Sequence, residues 1–326
     1  MKVTVQRHDV PLKLPYTYAR GDDSTCTLVQ VTLEAGGVRG RGEGAPFESF
    51  FGRPASETVD LLARLGDELS DDLTADDVLG LLPPGPARNA LDTALWDLRA
   101  KQKGAPVWQL LGLPEPRPVT IATTISLASG PRLTRELVDS ADRPVLKLKL
   151  GADDDVQRLR LTRLLRPDAR LVVDVNGGWD YDRLAAMLPV LADHDVRLIE
   201  QPVSPDDEAR LAGYSGMIPI VADESFGTAE DLDRLAGRYD GINIKLDKCG
   251  GLTAGLRIAE QAAARGFRIM VGCLPASSLS TAAGFHLAQL AEFVDLDNHL
   301  WLKEDTRPPM PCRAGVLSAP SPELWG

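Results

Sequence analysis

The fold of this chain is decided by five apolar runs in series: PVLKLKLG (144–151), RLVVDVNGG (170–178), VRLIEQP (196–202), IPIVADES (218–225) and GINIKLDKCGG (241–251). Runs rich in Val, Ile and Leu that alternate with helical segments are typical of buried parallel strands in repeated βα units. In a closed barrel of such units, the C-terminal strand ends converge on one mouth, where the chemistry takes place. Charged residues stand at these strand ends, and we expect them to face one another: Lys147, Lys149, Asp174, Glu200, Asp223 and Lys245.

The repeat extends outward from these runs in both directions. Helical segments separate the charged strand ends, over 154–166, 181–193, 206–213 and 228–237. A first strand precedes the runs, VTIATTI (119–125), and two more follow them, FRIMVGC (267–273) and EFVDLD (292–297), with a helix over 277–290 between them. Eight strands predict an α/β fold, a (β/α)8-type TIM barrel in the modified (β/α)7β form.

The N-terminal region has a different pattern. Alternating Val and Thr over residues 1–36 predict two strands with a polar loop from Tyr16 to Thr25 between them. Helical spacing follows over 54–69 and 86–103. Strands followed by helices indicate an α+β layer separate from the barrel. We therefore predict three parts: an α+β domain over 1–115, the barrel over 116–302 and a tail over 303–326 that packs back on the first domain.

Composition and charge exclude several classes of protein. The chain has 326 residues, 44% of them hydrophobic and 25% charged, and a net charge of −11. Nucleic acids and anionic membranes require concentrated Lys and Arg, so we expect neither as a partner. The four cysteines show no CxxC or zinc-finger spacing, which indicates a reducing compartment. Because the sequence contains no signal-peptide pattern and no membrane-spanning apolar run, we expect a cytoplasmic protein.

A glycine-rich segment does not indicate a nucleotide site, whereas three acidic strand ends indicate a metal site. The segment GGVRGRGEGAPF (36–47) has Gly-x-Gly spacing but lacks the helix N-terminus that a dinucleotide fingerprint requires. Asp174, Glu200 and Asp223, in contrast, supply oxygen donors from three successive strand ends, which suits Mg²⁺. Strand-end capping or salt bridging is the alternative. Carboxylates without a cation at one mouth would repel one another, so we expect a Mg²⁺ site.

The lysines indicate proton transfer. Lys147 and Lys149 point the same way because side chains alternate along a strand, and the same argument applies to Asp295 and Asp297. A lysine is costly to bury against helices, so we place both lysines at the mouth rather than on a solvated edge. Lysines beside a metal indicate proton abstraction next to a carboxylate, which creates an enediolate that a divalent metal stabilises. A second lysine and a divalent cation would lower the pKa of the lysine that acts as base.

These motifs resemble the enolase superfamily, muconate-lactonizing subgroup, which uses a Lys or His base with Mg²⁺. The resemblance rests on Lys147-Leu148-Lys149, on DVN, EQP and ADES around the three carboxylates, on NIKLDKCGGLT with Lys245, and on ARNALDTALWDL in what the resemblance makes a capping domain. The Asp295-Leu296-Asp297 motif looks like the DxD of the dipeptide epimerases, which implies that it holds the α-ammonium of the substrate.

The resemblance also implies residue roles. Lys149 and Lys245 are implied to be the acid and base lysines on opposite faces of the enediolate, and Lys147 to contact the substrate carboxylate. Arg20, in the loop ARGDDST (19–25), is implied to meet an acidic second side chain, although pairing with neighbouring aspartates on a solvated loop is the alternative. We further expect Thr124 to contact the substrate.

The activity implied is Mg²⁺-dependent epimerisation of a dipeptide by two-base 1,1-proton transfer, with L-Ala-D/L-Glu from peptidoglycan turnover as the favoured substrate. The alternatives are an N-acylamino acid racemase, o-succinylbenzoate synthase or muconate cycloisomerase, or an epimerase of a non-acidic dipeptide. A non-catalytic binding barrel is disfavoured because all the carboxylates and lysines are present. The expected partner is a small-molecule dipeptide, and a homo-oligomer is left open.

Overall fold

The computed structural model describes residues 1–19, 21–66 and 69–326. Its N-terminal part begins with an antiparallel sheet in which the second strand lies between the other two: β1 (Lys2–Tyr18), β2 (Gly21–Ala35) and β3 (Val38–Gly44). Helices follow the sheet: α1 (Glu48–Phe51), α2 (Ala55–Ala63), α3 (Ala75–Leu81), α4 (Pro86–Lys103) and α5 (Val107–Leu110). Strands followed by helices are the α+β arrangement that the sequence predicts here.

Helix α4 lies unusually close to β3. Proline in the first turn and Gly104 in a left-handed conformation bound the helix, as its sequence predicts. Gly40 and Gly42 face it, and a Cβ built on Gly42 would lie 2.2 Å from the carbonyl oxygen of Ala90. Only glycine leaves the backbone this space. The Gly-x-Gly spacing therefore serves helix packing, and it belongs to a strand that the sequence pattern did not predict.

The loop predicted over 16–25 is wrong. Both strands continue into this segment, and Tyr16 pairs with Asp23 across the hairpin. Tyr and Thr favour extended backbone, and the Tyr16 ring packs edge-on against Trp301 with 5.0 Å between ring centroids. The β1–β2 hairpin is therefore long enough to reach the barrel.

Residues 116–302, which the structure describes without a gap, form a sheet of eight parallel strands after the short strand β4 (Val119–Thr120). In spatial order they are β5 (Thr123–Ile125), β6 (Val145–Lys149), β7 (Arg170–Asp174), β8 (Val196–Glu200), β9 (Ile220–Ala222), β10 (Gly241–Ile244), β11 (Arg268–Val271) and β12 (Phe293–Val294). A hydrogen bond of 2.7 Å from Ala122 N to Val294 O joins the two ends of this sheet into a ring. The predicted (β/α)8-type barrel is confirmed.

Helices on the outside of the ring connect the strands. They are α6 (Gly130–Asp139), α7 (Asp155–Leu165), α8 (Tyr181–Asp193), α9 (Leu232–Leu235), α10 (Leu246–Cys249), α11 (Leu252–Ala264) and α12 (Ser278–Ala288). Leu, Ile and Val side chains between these helices and the strands form a continuous buried core. No helix in the described ranges is both long and apolar enough to cross a membrane.

Two connections and one strand differ from the sequence pattern. The helix predicted over 206–213 is a 3₁₀ helix at Pro205–Leu211, and the helix predicted over 228–237 is a 3₁₀ turn at Ala229–Asp231 followed by the single α-helical turn of α9, because segments this short gain little from α-helical propagation. The strand predicted over 292–297 ends at Val294, since aspartate is unfavourable in a strand. The alternation argument therefore does not apply to Asp295 and Asp297, which lie on the segment before a 3₁₀ helix at Asn298–Trp301.

The tail touches both parts of the chain. It contains β13 (Cys312–Arg313) and β14 (Val316–Leu317), and β14 pairs with β4. Near its end, Trp325 Nε1 donates to the carbonyl oxygen of Thr93 on α4 at 3.1 Å. The tail thus bonds to α4 at one end and to the segment that precedes the barrel at the other.

Buried polar bonds join the N-terminal layer to the barrel close to Lys245. Asp247 Oδ1, on α10, accepts from Ala45 N at 2.9 Å and from Asn89 Nδ2 at 2.8 Å. Glu43 accepts from the backbone N–H and the hydroxyl of Ser277, at 2.8 and 2.7 Å. Because these groups are buried and hydrogen-bonded, they fix the orientation of one part on the other.

Candidate active site

The predicted residues stand at successive strand ends around one mouth of the ring. Lys149, Asp174 and Glu200 are the last residues of β6, β7 and β8 and are paired in register. Asp223 and Lys245 directly follow β9 and β10. In the ring order three strands separate β6 from β10 on either side, so their two lysines face each other across the mouth. The three carboxylates fill one arc between them.

Lys147 lies below this level, two residues earlier on β6, and contacts carboxylates from both arcs. Its Nζ lies 2.6 Å from Asp295 Oδ2, 2.6 Å from Glu200 Oε2 and 3.0 Å from Asp174 Oδ2, and the side chain is 2% exposed. Burial lowers the pKa of the Lys147 ammonium, but these carboxylates raise it more, so it stays well above its ordinary value. Lys147 is therefore a fixed positive charge at the floor of the mouth.

Lys149 is held on one side of the mouth. Its Nζ donates to Asp174 Oδ2 at 2.7 Å and to Asn176 Oδ1 at 2.9 Å, and lies 5.4 Å from the centre of the Tyr16 ring. Burial lowers the pKa of Lys149, and so does Lys147, as expected of a second lysine. Asp174, Tyr16 and Glu200 together outweigh these two effects, so in this arrangement, without a cation, the pKa of Lys149 is raised.

Lys245 is held on the opposite side. Its Nζ donates to Asp223 Oδ2 at 2.7 Å and lies 5.0 Å from the centre of the Phe50 ring. A further lysine, Lys248 on α10, donates to Asp223 Oδ1 and to the Asp223 carbonyl oxygen, both at 2.7 Å. Burial raises the pKa of Asp223, but Lys245 and Lys248, helped by Lys147, lower it by more than burial raises it, so the pKa lies below its ordinary value. Asp223 is accordingly ionised.

Asp295 and Asp297 close the other arc. They follow β12, which lies four strands from β8, so the pair stands across the mouth from Glu200. Asp297 Oδ2 accepts from the backbone N–H of Thr124 at 2.7 Å. Burial and the neighbouring Asp295 raise the pKa of Asp297 to about 6. Two adjacent carboxyl groups in this position favour a cationic ligand.

Arg20 lies outside the residues that the structure describes, so its predicted contact with the substrate stays a prediction.

The carboxylate arc fits a cation. Glu200 is fully buried, and its Oε1 accepts from Asn243 Nδ2 at 2.8 Å. Its Oε2 receives no hydrogen bond from any described residue, since the nearby Lys147 ammonium is not aligned to donate to it. Burial and the Asp174 carboxylate raise the pKa of Glu200 to about 8. A buried carboxylate oxygen without a donor, beside a second carboxylate, is a position that a hard divalent cation stabilises.

The candidate metal ligands form ion pairs with lysines and are not grouped around a common point. Within the described ranges, no three Asp, Glu, His or Cys side chains are grouped so as to hold a metal ion by themselves. The reason is that ammonium groups lie on the carboxylates, Lys147 and Lys149 on Asp174, and Lys245 on Asp223. Metal binding would therefore require some of these ion pairs to separate.

Sequence reasoning did not single out several residues that complete the site. They stand inside or beside the strand-end motifs DVN, EQP and NIKLDK, and on the hairpin, and they are Asn176, Gln201, Asn243, Lys248 and Tyr16. Their polar character next to the candidate ligands was the available signal. The contacts of Tyr16 could not be anticipated because the hairpin was predicted as a loop.

Comparison with known proteins places the chain in a family. Residues 1–112 match the model of the mandelate racemase / muconate lactonizing enzyme N-terminal domain, and residues 132–323 match that of the enolase C-terminal domain-like family. The L-Ala-D/L-Glu epimerase of Escherichia coli (strain K12) is 37% identical over 309 residues, which cover 94% of this chain and 96% of the relative.

Solved structures agree with this assignment. An enolase family member from Agrobacterium tumefaciens with homology to dipeptide epimerases, with bound sodium and L-Ala-L-Glu, is 37% identical, with a TM-score of 0.95 and coverage of 100% of this chain and 99% of its own. The dipeptide epimerase of Enterococcus faecalis V583, complexed with Mg and L-Leu-L-Tyr, is 26% identical, with a TM-score of 0.90 and coverage of 98% and 96%. The resemblance read from the motifs is confirmed: the chain belongs to the mandelate racemase / muconate lactonizing enzyme family of the enolase superfamily.

Proposed function

We propose that this chain is a Mg²⁺-dependent dipeptide epimerase with L-Ala-D/L-Glu as its favoured substrate. The observation that carries the proposal is the opposition of Lys149 and Lys245 across the mouth, with three carboxylates on one arc between them and two on the other. In a two-base inversion, one group removes a proton from one face of the carbon and another returns a proton to the opposite face. The relatives named as dipeptide epimerases support the same activity.

In this proposal the chain's own residues bind and orient the dipeptide. The ammonium of the first residue pairs with Asp295 and Asp297, whose mutual repulsion an added positive charge relieves. The carboxylate at the other end of the dipeptide lies towards Lys147, the fixed positive charge at the floor of the mouth. The reacting α-carbon, next to that carboxylate, then lies between Lys149 and Lys245.

The two lysines exchange roles with the direction of the reaction. One lysine, as the neutral amine, takes the α-proton, and the other, as the ammonium, delivers a proton to the opposite face. Mg²⁺, held by Asp174, Glu200 and Asp223, would supply positive charge against the negative charge that develops on the substrate carboxylate. The hairpin residue Tyr16 and the α1 residue Phe50 pack against the lysines and exclude water from them.

The Agrobacterium relative holds L-Ala-L-Glu and the Enterococcus relative L-Leu-L-Tyr, so the second residue differs among these proteins. We assign acidic selectivity here to Arg20 and a further substrate contact to Thr124. We also propose a cytoplasmic role in peptidoglycan fragment metabolism, and domain boundaries at 1–115 for the capping domain, 116–302 for the barrel and 303–326 for the tail.

The decisive experiment is incubation of the protein with Mg²⁺ and a dipeptide library in D₂O, with α-deuteration read by mass spectrometry. The library should contain L-Ala-L-Glu, L-Ala-L-Leu, L-Leu-L-Tyr and N-acetyl-L-Ala-L-Glu. We expect one deuterium to enter the C-terminal residue of L-Ala-L-Glu in preference to the others, and none in a Lys149→Ala, Lys245→Ala double variant.

Three outcomes contradict parts of the proposal. Exchange in the double variant equal to that of the parent would remove the lysines from the reaction. Preferred exchange of the N-acetylated substrate would favour an acylamino acid racemase, and preferred exchange of L-Leu-L-Tyr would favour an epimerase of apolar dipeptides.

A further inference from the structure

One buried glutamine, Gln201, touches all three chain segments that carry the candidate carboxylates. It directly follows Glu200 at the end of β8. Its backbone oxygen accepts from Gly177 N at 2.8 Å, in the loop after Asp174. Its side-chain Oε1 accepts from the backbone N–H of Asp223 itself, also at 2.8 Å. A single side chain and its own peptide unit thus link the ends of β7, β8 and β9.

The partners of Gln201 fix the orientation of its amide. Oε1 also accepts from Ser225 N at 3.1 Å. Nε2 lies within donating distance of Val203 O (2.9 Å), Ser225 Oγ (2.8 Å) and Tyr239 OH (3.1 Å). A backbone N–H only donates and a carbonyl only accepts, so neither a rotated amide nor a carboxylate could satisfy both sides.

The backbone of Gln201 is strained. Its φ angle is +36°, in the left-handed region that side chains other than glycine rarely adopt, and the residue is 0% exposed. Such a conformation persists only when its surroundings hold it, and residues of this kind cluster at functional sites. The Gln201 side-chain amide is buried, and hydrogen bonds to both its oxygen and its nitrogen provide that restraint.

We propose that Gln201 is a positioning residue for the cation site. Its amide holds the backbone of Asp223 at a set distance from Glu200, and so determines how well the two carboxylates can share one cation. Groups that orient metal ligands through hydrogen bonds typically change metal affinity about 10–100-fold when they are removed. The inference rests on the proposed function for the identity of the cation, Mg²⁺.

The test measures metal binding without any dipeptide. Mn²⁺ serves as the probe because free Mn²⁺ can be counted by electron paramagnetic resonance during a titration. Gln201→Met keeps the length of the side chain and removes both hydrogen-bonding ends. Tyr239→Phe is the matched control, since it removes one acceptor near Nε2 and leaves the bond from Asp223 N to Oε1 in place.

We expect Gln201→Met to raise the Mn²⁺ dissociation constant about 10–100-fold, and Tyr239→Phe to change it far less. Circular dichroism checks that the variants fold. Gln201→Gly is a second test that suits the left-handed backbone and removes the amide, so a Met variant that fails to fold does not leave the question open.

Equal Mn²⁺ affinity in the parent and in a folded Gln201→Met or Gln201→Gly variant would overturn the inference. So would an equal loss of affinity in Tyr239→Phe, because general loosening of the site would then explain both. A parent protein that binds Mn²⁺ but deuterates no dipeptide contradicts the proposed function alone. A parent protein that binds no Mn²⁺ contradicts both.

Discussion

The Asp247→Asn variant should gain stability relative to the parent as the pH rises. Asp247 is buried between the capping domain and the barrel, and burial raises its pKa from 3.8 to about 7 despite the hydrogen bonds from Ala45 and Asn89. Between these two values the unfolded chain has lost the proton and the folded protein keeps it. The folded state then binds more protons, so stability falls as pH rises through this window and is level above it.

The size of the effect follows from the pKa shift. One pKa unit corresponds to about 1.4 kcal/mol, so the whole shift is worth about 4 kcal/mol, of which about 3 kcal/mol is lost between about pH 5 and about pH 8.5. Asn has nearly the shape of Asp and keeps an acceptor oxygen for both donors, but it carries no charge. The stability of Asp247→Asn relative to the parent should therefore improve by about 3 kcal/mol over that interval.

Urea unfolding of both proteins at the two pH values measures this double difference. Following each transition by circular dichroism and by fluorescence tests whether the domains unfold together, as the comparison requires. Asp139→Asn, an exposed change at the end of α6, is the control for the substitution itself. A double difference below about 1 kcal/mol, or one of opposite sign, would refute the argument that ionisation of Asp247 is unfavourable in the folded protein.

The remaining predictions concern catalysis. Asp174→Asn is expected to lower turnover by orders of magnitude, because each carboxylate supplies negative charge to a metal site that has few protein ligands. Treatment with EDTA should have the same effect, and full turnover after metal removal would contradict the Mg²⁺ site. Lys149→Ala and Lys245→Ala should each abolish epimerisation yet leave exchange at the face served by the other lysine; equal exchange from both epimers, followed by NMR in D₂O, would rule out two bases. Asp297→Asn should weaken the binding of dipeptides with a free amino terminus by about 2–5 kcal/mol more than that of N-acetylated dipeptides in competition assays. Equal losses of binding for both would contradict the role of Asp297 in holding the ammonium. Arg20→Met should reduce kcat/KM for L-Ala-L-Glu about 10–1,000-fold and change kcat/KM for L-Ala-L-Leu little. Similar small losses of kcat/KM for both dipeptides would contradict a substrate contact and favour a solvated Arg20.

The barrel could be predicted from sequence because its strands are buried on both faces. Continuous Val, Ile and Leu runs mark such strands without help from tertiary contacts, and the spacing between charged ends counts the βα units. The same reasoning located Lys149, Asp174, Glu200, Asp223 and Lys245, since parallel strands bring their C-terminal ends together whatever the loops do.

What the sequence could not provide depends on contacts between distant segments. The strand character of residues 16–18 and 21–25 comes from pairing across the hairpin and from packing on Trp301, neither of which local polarity reveals. Strand β3 was hidden by glycines whose purpose is the approach of α4. The side-chain bonds of Gln201 likewise join β8 to the segment after β9, and no spacing rule encodes them.

The close contact between β3 and α4 implies mechanical coupling across the molecule. A methyl group added at Gly42 would lie 2.2 Å from the Ala90 carbonyl oxygen, where real contacts are not shorter than 3.0 Å, so the backbone of α4 would have to move by at least 0.8 Å. Asn89, the residue before Ala90 on α4, donates a hydrogen bond to Asp247, and Asp247 lies on the helical turn that begins after Lys245. A change on the outer sheet would thus be transmitted as a displacement of Lys245, the lysine that we propose acts as one acid/base. Glycine at positions 40 and 42 therefore bears on the position of Lys245 as well as on the packing of α4.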